Sequence, residues 1–208
     1  TKMNSVIILV LFCMMRSSSS LNLFPRLSNG LFKSGENAES LKRNILELSR
    51  KVNRGLTETA EDRENMQKLF GKLEAKNSKN NTLTNPALNG VWLLEYTTSD
   101  SILGRGSSSS KVGPIYQTIN TINLTAENSE TVNYFGLLSV PRKVSATLRV
   151  MSPSKVAVQF QRFTIGPISF QAPVSFKGEL DVTYLDKDLR LSRGDKGNIF
   201  VLTKFKDL

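Results

Sequence analysis

From Gly90 to Phe205 the chain reads as one strand after another, joined by short turns and without a stretch of helical period. The clearest strand is Phe176 to Tyr184, where Phe176, Gly178, Leu180, Val182 and Tyr184 alternate with Lys177, Glu179, Asp181 and Thr183. A period of two puts the first set on an apolar face and the second in water. Val144, Ala146, Leu148 and Val150 alternate with Ser145, Thr147 and Arg149, and a turn at Ser152-Pro153-Ser154 leads into Val156, Val158 and Phe160, which makes a hairpin. Further strands are expected at Ile115–Ile122, Thr131–Leu137, Phe163–Phe170, Leu189–Ser192 and Ile199–Phe205. About eight to ten strands at hairpin spacing need no long crossover and can lose their edges by closing on themselves. The expected fold class is mainly β, an up-and-down antiparallel barrel over residues 88–208, with a two-sheet β-sandwich as the other architecture the pattern allows.

Ahead of the strands the period changes. Leu41, Ile45, Leu48 and Val52 recur at helical spacing, Gly55 interrupts them, and Met66, Leu69, Phe70 and Leu73 form a second apolar face behind a cap at Thr59 or Thr57. Glu61, Asp62 and Glu64 suit the positive N-terminal end of that second helix. Residues 36–76 therefore read as a helical arm whose nine basic and eight acidic residues cover a solvated outer face. Its stripe is expected to pack on the barrel or close one of its ends; the other use for such a stripe is a membrane or lipid droplet. Residues 77–87 read as a polar linker.

Residues 1–35 read as a leader with two signals in series. Val6 to Cys13 is an apolar run behind Lys2, too short for a span of roughly 20 residues but of signal-peptide length. Arg16 to Gly35 then carries Arg16, Arg26, Lys33 and six serines with no acid, the composition of a transit peptide. A bipartite address to a plastid reached through the secretory pathway is expected, with plain secretion as the alternative.

Composition removes whole classes of chemistry. The sequence has no histidine, and its one cysteine, Cys13, lies in the leader, so Cys–His and Ser–His machinery and most zinc sites lack their residues. The net charge of +10 falls to +6 beyond residue 35, with 24 basic against 18 acidic residues. These are scattered, and no run of Lys and Arg interleaved with aromatics marks a nucleic-acid face. No metal, cofactor or nucleic acid is expected, and the protein is read as not an enzyme. Arg193-Gly194-Asp195 and Ser152-Pro153-Ser154-Lys155 match an adhesion tripeptide and a Ser–Lys spacing, but both fall on hairpin turns.

The candidate site is the inside of the barrel. The turn Asn89-Gly90 opens a strand carrying the only tryptophan, Trp92. A Gly-x-Trp opening resembles the entry to lipocalin-type barrels, in which the indole plugs one end of a cavity for apolar ligands. Regular alternation puts Trp92, Leu94 and Tyr96 on the inward face and Glu95 outside. With Phe160, Phe176, Leu180, Val182 and Tyr184 they would line an apolar interior whose few polar atoms are phenol and indole groups. In the resembling barrels a late-strand arginine stacks on that tryptophan. Arg193 is the first candidate for this closure and Arg190 the second.

The order of LKRNILELSRKVNRGLTETAEDRENMQKLFGKLEAKN, LNGVWLLEYTTSDSILGRG, GPIYQTIN, VAVQFQRFTIGPISFQAP and GELDVTYLDKDLRLSRGDKGNIFVL resembles the plastid lipid-associated proteins, or fibrillins, over about residues 41–205. The most specific pieces are Arg54-Gly55-Leu56 with Glu61-Asp62-Arg63, Gly90-Val91-Trp92, and Leu185-Asp186 through Asp195. The resemblance implies a lipocalin-like barrel in plastids, at plastoglobules or thylakoids. It would bind or organise prenylquinones, carotenoids or fatty acids without turnover. The alternative is a scaffold, its arm docking an enzyme of prenylquinone synthesis. An acid–base enzyme using Tyr96 or Tyr184 with Glu95 is the remaining, weakest reading.

Overall fold

The computed structural model describes residues 36–77, 81–104 and 110–208. The leader expected over residues 1–35, and residues 105–109 of the serine-rich loop, lie outside the described residues.

The helical arm comprises α1 (Ala38–Lys51) and α2 (Ala60–Glu74). α1 buries Leu41 and Ile45 on one side, the i and i+4 positions of one stripe. Thr59 caps α2 through a reciprocal box: its hydroxyl accepts from the Asp62 amide at 3.1 Å, and the Asp62 carboxylate accepts from the Thr59 amide at 3.1 Å. The chain turns between the helices at Asn53, Arg54 and Gly55, all with positive φ. Gly55 is at +107°, and a Cβ there would sit 2.6 Å from the Thr97 carbonyl oxygen, so only glycine lets this turn lie against the first strand.

The strands are β1 (Gly90–Thr97), β2 (Ser110–Asn120), β3 (Thr125–Tyr134), β4 (Leu138–Val150), β5 (Lys155–Ile165), β6 (Ile168–Gln171), β7 (Lys177–Leu185), β8 (Leu189–Gly194) and β9 (Ile199–Lys206), with a short helix α3 (Asp100–Leu103) after β1. All pairings are antiparallel. The sheet runs β4-β3-β2-β1-β9-β8-β7-β5, and β4 pairs with β5 to close eight strands into a ring. That closing pair rules out the sandwich. β5 is long enough to pair with β7 along residues 155–159 and with β6 along residues 162–165. The strand expected over Phe163–Phe170 is thus broken by the turn at Gly166-Pro167, and the one expected over Thr131–Leu137 ends at a turn centred on Phe135-Gly136. Thr125 to Glu130 has no apolar alternation, which hid the first half of β3 from the sequence.

Two of the register shifts decide which way the tyrosines face. Leu94 pairs with Leu202 but Tyr96 with Val201, so Glu95 is an extra residue; Val182 pairs with Ser192 but Tyr184 with Leu191, so Thr183 is another. Each extra residue reverses the alternation downstream of it. Tyr96 and Tyr184 consequently face out, against the arm. Leu41, Ile45, Val52, Met66, Phe70 and Leu73 of the arm pack there with Tyr96, Tyr184, Leu189, Leu191, Ile199 and Val201, an outer core separate from the inner one. Burying each of the six arm side chains contributes about 1.5–3 kcal/mol. The arm therefore lies on the wall, which takes up most of its stripe and leaves Leu48 and Leu69 partly exposed.

Of the polar linker expected over residues 77–87, residues 81–87 are described along with Asn77. Thr82–Thr84 and Pro86–Leu88 form short 3-10 turns. The Thr82 hydroxyl donates to the Val182 carbonyl at 2.8 Å, and the Leu83 amide to the Pro153 carbonyl at 3.0 Å, strapping the segment to one end of the ring. Among the described residues no helix is long and apolar enough to cross a membrane.

Candidate functional site: the barrel interior

Trp92 stands at the strapped end with no solvent exposure. Its indole N–H donates to the Leu88 carbonyl at 3.0 Å, which ties the ring to the strap. Two cations sit over it: the Arg190 guanidinium carbon lies 5.1 Å and the Lys204 ammonium 4.7 Å from the ring centroid. Lys204 also donates to the carbonyls of Ala87 and Asn89, at 2.7 Å each. Gly90 makes room for it: at φ +146°, a Cβ would lie 2.6 Å from the Lys204 ammonium. The Gly-x-Trp opening is thus a backbone space for one cation beneath the indole.

Arg190 is fully buried, and desolvation pushes its pKa down to about 9. It pairs in register with Leu202, which pairs with Leu94, so all three face inward. One terminal nitrogen donates to the Gln117 side-chain carbonyl, and Gln117 donates to Asn128 at 2.9 Å. Arg193, three residues on and therefore on the opposite face, is no part of the closure. Its guanidinium lies 4.9 Å over Phe70 and binds Glu74 at 2.8 and 2.7 Å, fastening α2 to the outer wall.

Above the indole the interior has two unlike sides. Leu94, Ile115, Ile119, Val182, Leu185 and Leu202 pack around Trp92. Farther round the ring Phe163, itself buried, gathers Phe160, Phe170 and Phe176 at centroid distances of 6.4, 5.5 and 5.9 Å. Starting on the strand next to this aromatic cluster, a polar stripe runs over β4, β3 and β2: Arg142 paired with Glu130, then Asn128 and Gln117. Burial raises the Glu130 pKa while Arg142 and Arg54 work against it. An interior whose polar atoms are only phenol and indole groups is therefore not what the chain builds.

Of the eight residues expected to line the interior, Trp92, Leu94, Phe160, Phe176, Leu180 and Val182 come together there. Tyr96 and Tyr184 do not, for the bulge reason given above. The Tyr96 hydroxyl donates to Glu58 at 2.5 Å and that of Tyr184 to Asp186 at 2.9 Å, each on the arm side of the wall. Burial and the Asp186 carboxylate push Tyr184 up to about 12. Gln117, Asn128, Glu130 and Arg142 escaped the sequence reading because polar residues on a strand default to solvent. The signal that could have found them is register: Gln117 pairs with Trp92.

Inward-facing Val144, Leu148, Val158, Phe160, Phe176 and Leu180 are only partly buried, unlike Trp92 and Phe163. Solvent reaches apolar side chains inside the ring. No group of three or more metal-ligating side chains occurs among the described residues.

The PAP_fibrillin family model matches residues 39–203, nearly the whole arm and barrel. The chain belongs to the PAP/fibrillin family. It is 33% identical to the probable plastid-lipid-associated protein 5, chloroplastic, of Arabidopsis thaliana, over 88% of this chain and 75% of that one. It is also similar to plastoglobulin-1, chloroplastic, of Pisum sativum, 31% identical over 81% and 62% of the two chains. A third relative, the chromoplast-specific carotenoid-associated protein of Cucumis sativus, is 30% identical over 79% and 67%. Membership of the PAP/fibrillin family supports a plastid lipid-associated role, and these relatives bear names of lipid-associated proteins, not of enzymes.

Proposed function

We propose that the barrel holds one apolar molecule in its interior, without turning it over, and does so in a plastid, at plastoglobules or thylakoids. The carrying observation is the set of inward-facing apolar side chains on β4, β5 and β7 that the fold leaves partly exposed. An eight-stranded ring has room for packed side chains or for one small ligand, and incomplete burial of its own lining favours the ligand. The aromatic cluster around Phe163 suits an isoprenoid or acyl chain, and the polar stripe beside it suits a head group with hydrogen-bond acceptors. Prenylquinones, carotenoids and fatty acids are the candidate classes, in keeping with the carotenoid-associated name of the Cucumis relative.

Acid–base catalysis has little support, since the two candidate phenols face the arm and both already bind carboxylates. The scaffold reading ranks second because most of the apolar stripe that would dock an enzyme is occupied by the barrel wall. The test is titration of the delipidated protein with decyl-plastoquinone while reading Trp92 fluorescence. Saturable quenching at one quinone per chain is expected; an unchanged signal, with no quinone retained on gel filtration, would remove the internal site.

A further inference from the structure

The end of the ring away from Trp92 carries two neighbouring hairpin turns with large apolar side chains pointing into water. On the β3–β4 turn Phe135 is 77%, Leu137 92% and Leu138 60% exposed; on the β5–β6 turn Ile168 is 56% exposed. The Gly166 amide donates to the Pro141 carbonyl at 2.8 Å, which binds the second turn to the flank of the first. Phe135 adopts φ +53° and Gly136 φ +71°, with the Leu137 amide closing on Tyr134 at 3.0 Å. Two left-handed residues in a tight hairpin favour Asn-Gly, and a bulky aromatic at the first position is strained. Nothing inside the protein compensates, because the ring is almost fully solvated.

Charge singles out the same wall. From Thr131 to Gly178 there is no Asp or Glu, against six basic residues. Arg142 turns inward to Glu130, and Lys143 and Lys155 meet Glu127 and Glu179 just outside the stretch, so Arg149, Arg162 and Lys177 add to a wall whose excess is basic. Lys143 and Arg162 are diagonal neighbours on the outer face of the β4–β5 pair, their cross-strand partners being Thr164 and Ser145. The Lys143 ammonium also meets the exposed Glu127 of β3 at 3.0 Å, a solvated pair that an anionic headgroup can replace. Lys143 stands five residues below Leu138, roughly 13 Å along the barrel axis once a strand tilt near 40° is allowed. Apolar tips with basic residues at that depth match a lipid surface, where apolar groups enter and cations meet headgroups. Asp195 and Asp100 at this end belong to the β8–β9 turn and to α3, away from the two hairpins. A few protruding side chains cannot supply the roughly 800 Å² per partner of a stable protein interface.

We propose that the β3–β4 and β5–β6 turns insert together into a lipid surface bearing anionic headgroups, with Lys143 and Arg162 at headgroup level. This rests on the lipid-carrier reading, and it turns the end of the barrel opposite the Trp92 plug toward the lipid phase. The other end also exposes apolar turns, Ile122 and Met151, but its charges are mixed, Asp188 beside Lys187 and Asp207 beside Lys204 and Lys206. It provides the control.

The experiment is co-sedimentation of the full chain with vesicles of phosphatidylcholine alone or with about one third phosphatidylglycerol. Binding is expected on the anionic vesicles and should weaken with salt. The variant Phe135→Asn/Leu137→Ser/Ile168→Ser should bind at least about tenfold more weakly. Lys143→Gln/Arg162→Gln should lose roughly fivefold or more per charge, on anionic vesicles only. Phe135→Asn alone should raise the melting temperature while weakening binding, which separates lost insertion from lost folding. Ile122→Ser/Met151→Ser should bind like the parent. Unchanged binding by the triple variant, or loss by the control pair, would overturn the proposal. Quinone titration in solution should be unaffected in the triple variant, so a failed docking surface and a failed internal site give different results.

Discussion

Arg190 reaches inward from β8 to stack on Trp92 of β1, 5.1 Å from the ring centroid, with two of its three guanidinium nitrogens lacking any hydrogen-bond acceptor. No carboxylate among the described residues neutralises it, so the indole face and the Gln117 carbonyl hold a cation that burial disfavours. Trp92→Ala should cost about 3–5 kcal/mol, as large core truncations do. Arg190→Met should fall within about 1 kcal/mol of the parent or above it, since replacing a poorly paired buried charge by an apolar side chain is often neutral or stabilising. The two should be non-additive by about 0.5–3 kcal/mol in urea unfolding, whereas Arg193→Ala and Trp92→Ala should simply add. Coupling of Trp92 to Arg193 instead would invert the closure described above.

Gly55 and Gly197 both adopt positive φ, +107° and +74°, but only the first is crowded. Gly55→Ala combines strain with a 2.6 Å approach to the Thr97 carbonyl and should cost about 3 kcal/mol or more. Gly197→Ala meets nothing within 4 Å and should cost only about 1 kcal/mol, for the left-handed backbone. Melting temperatures of the two variants check the ranking.

The α2 cap has a pH signature. Hydrogen bonds from Lys51 and Thr59 hold the Asp62 carboxyl down at about 2, below its ordinary 3.8. A depressed folded-state pKa gives stability that is present above pH 4 and lost as pH falls toward 2. Asp62→Asn should therefore be less stable than the parent at pH 6, and the gap should shrink to nothing near pH 2. A gap that stays constant over that range in urea unfolding would mean the carboxylate charge plays no part.

Deleting residues 36–76 should not leave a free-standing barrel. The truncation would bare Tyr96, Tyr184, Leu189, Leu191, Ile199 and Val201 on one wall, and would strand Arg193, whose carboxylate partner Glu74 sits on α2. Aggregation or loss of the cooperative melting transition is expected. A soluble, cooperatively melting fragment would show the arm to be an appendage.

Strand period and turn chemistry carried the barrel, and helical period carried the arm, because both repeats extend over many residues. What the sequence hid is local. Glu95 and Thr183 look like ordinary alternating positions, and only the register with β9 and β8 reveals each as an extra residue that sends the following tyrosine outward. Arg190 and Arg193 are equally basic and equally near a turn; parity on β8 separates them, and parity cannot be counted until one residue's face is known. Gln117, Asn128 and Glu130 read as wet because a lone strand does not show which of its faces a closed ring will enclose. The charge run without acids from Thr131 to Gly178 was legible throughout, but its meaning depends on the two turns standing side by side.

The most direct test of the central claim is native mass spectrometry of the protein purified with its bound lipid, beside a Leu148→Trp/Leu180→Trp variant that fills the interior from β4 and β7, the two strands flanking β5. A copurifying apolar molecule at one per chain in the parent, absent from the variant while its circular dichroism is unchanged, is the predicted result. Equal lipid in both proteins, or none in the parent, would contradict an internal binding site.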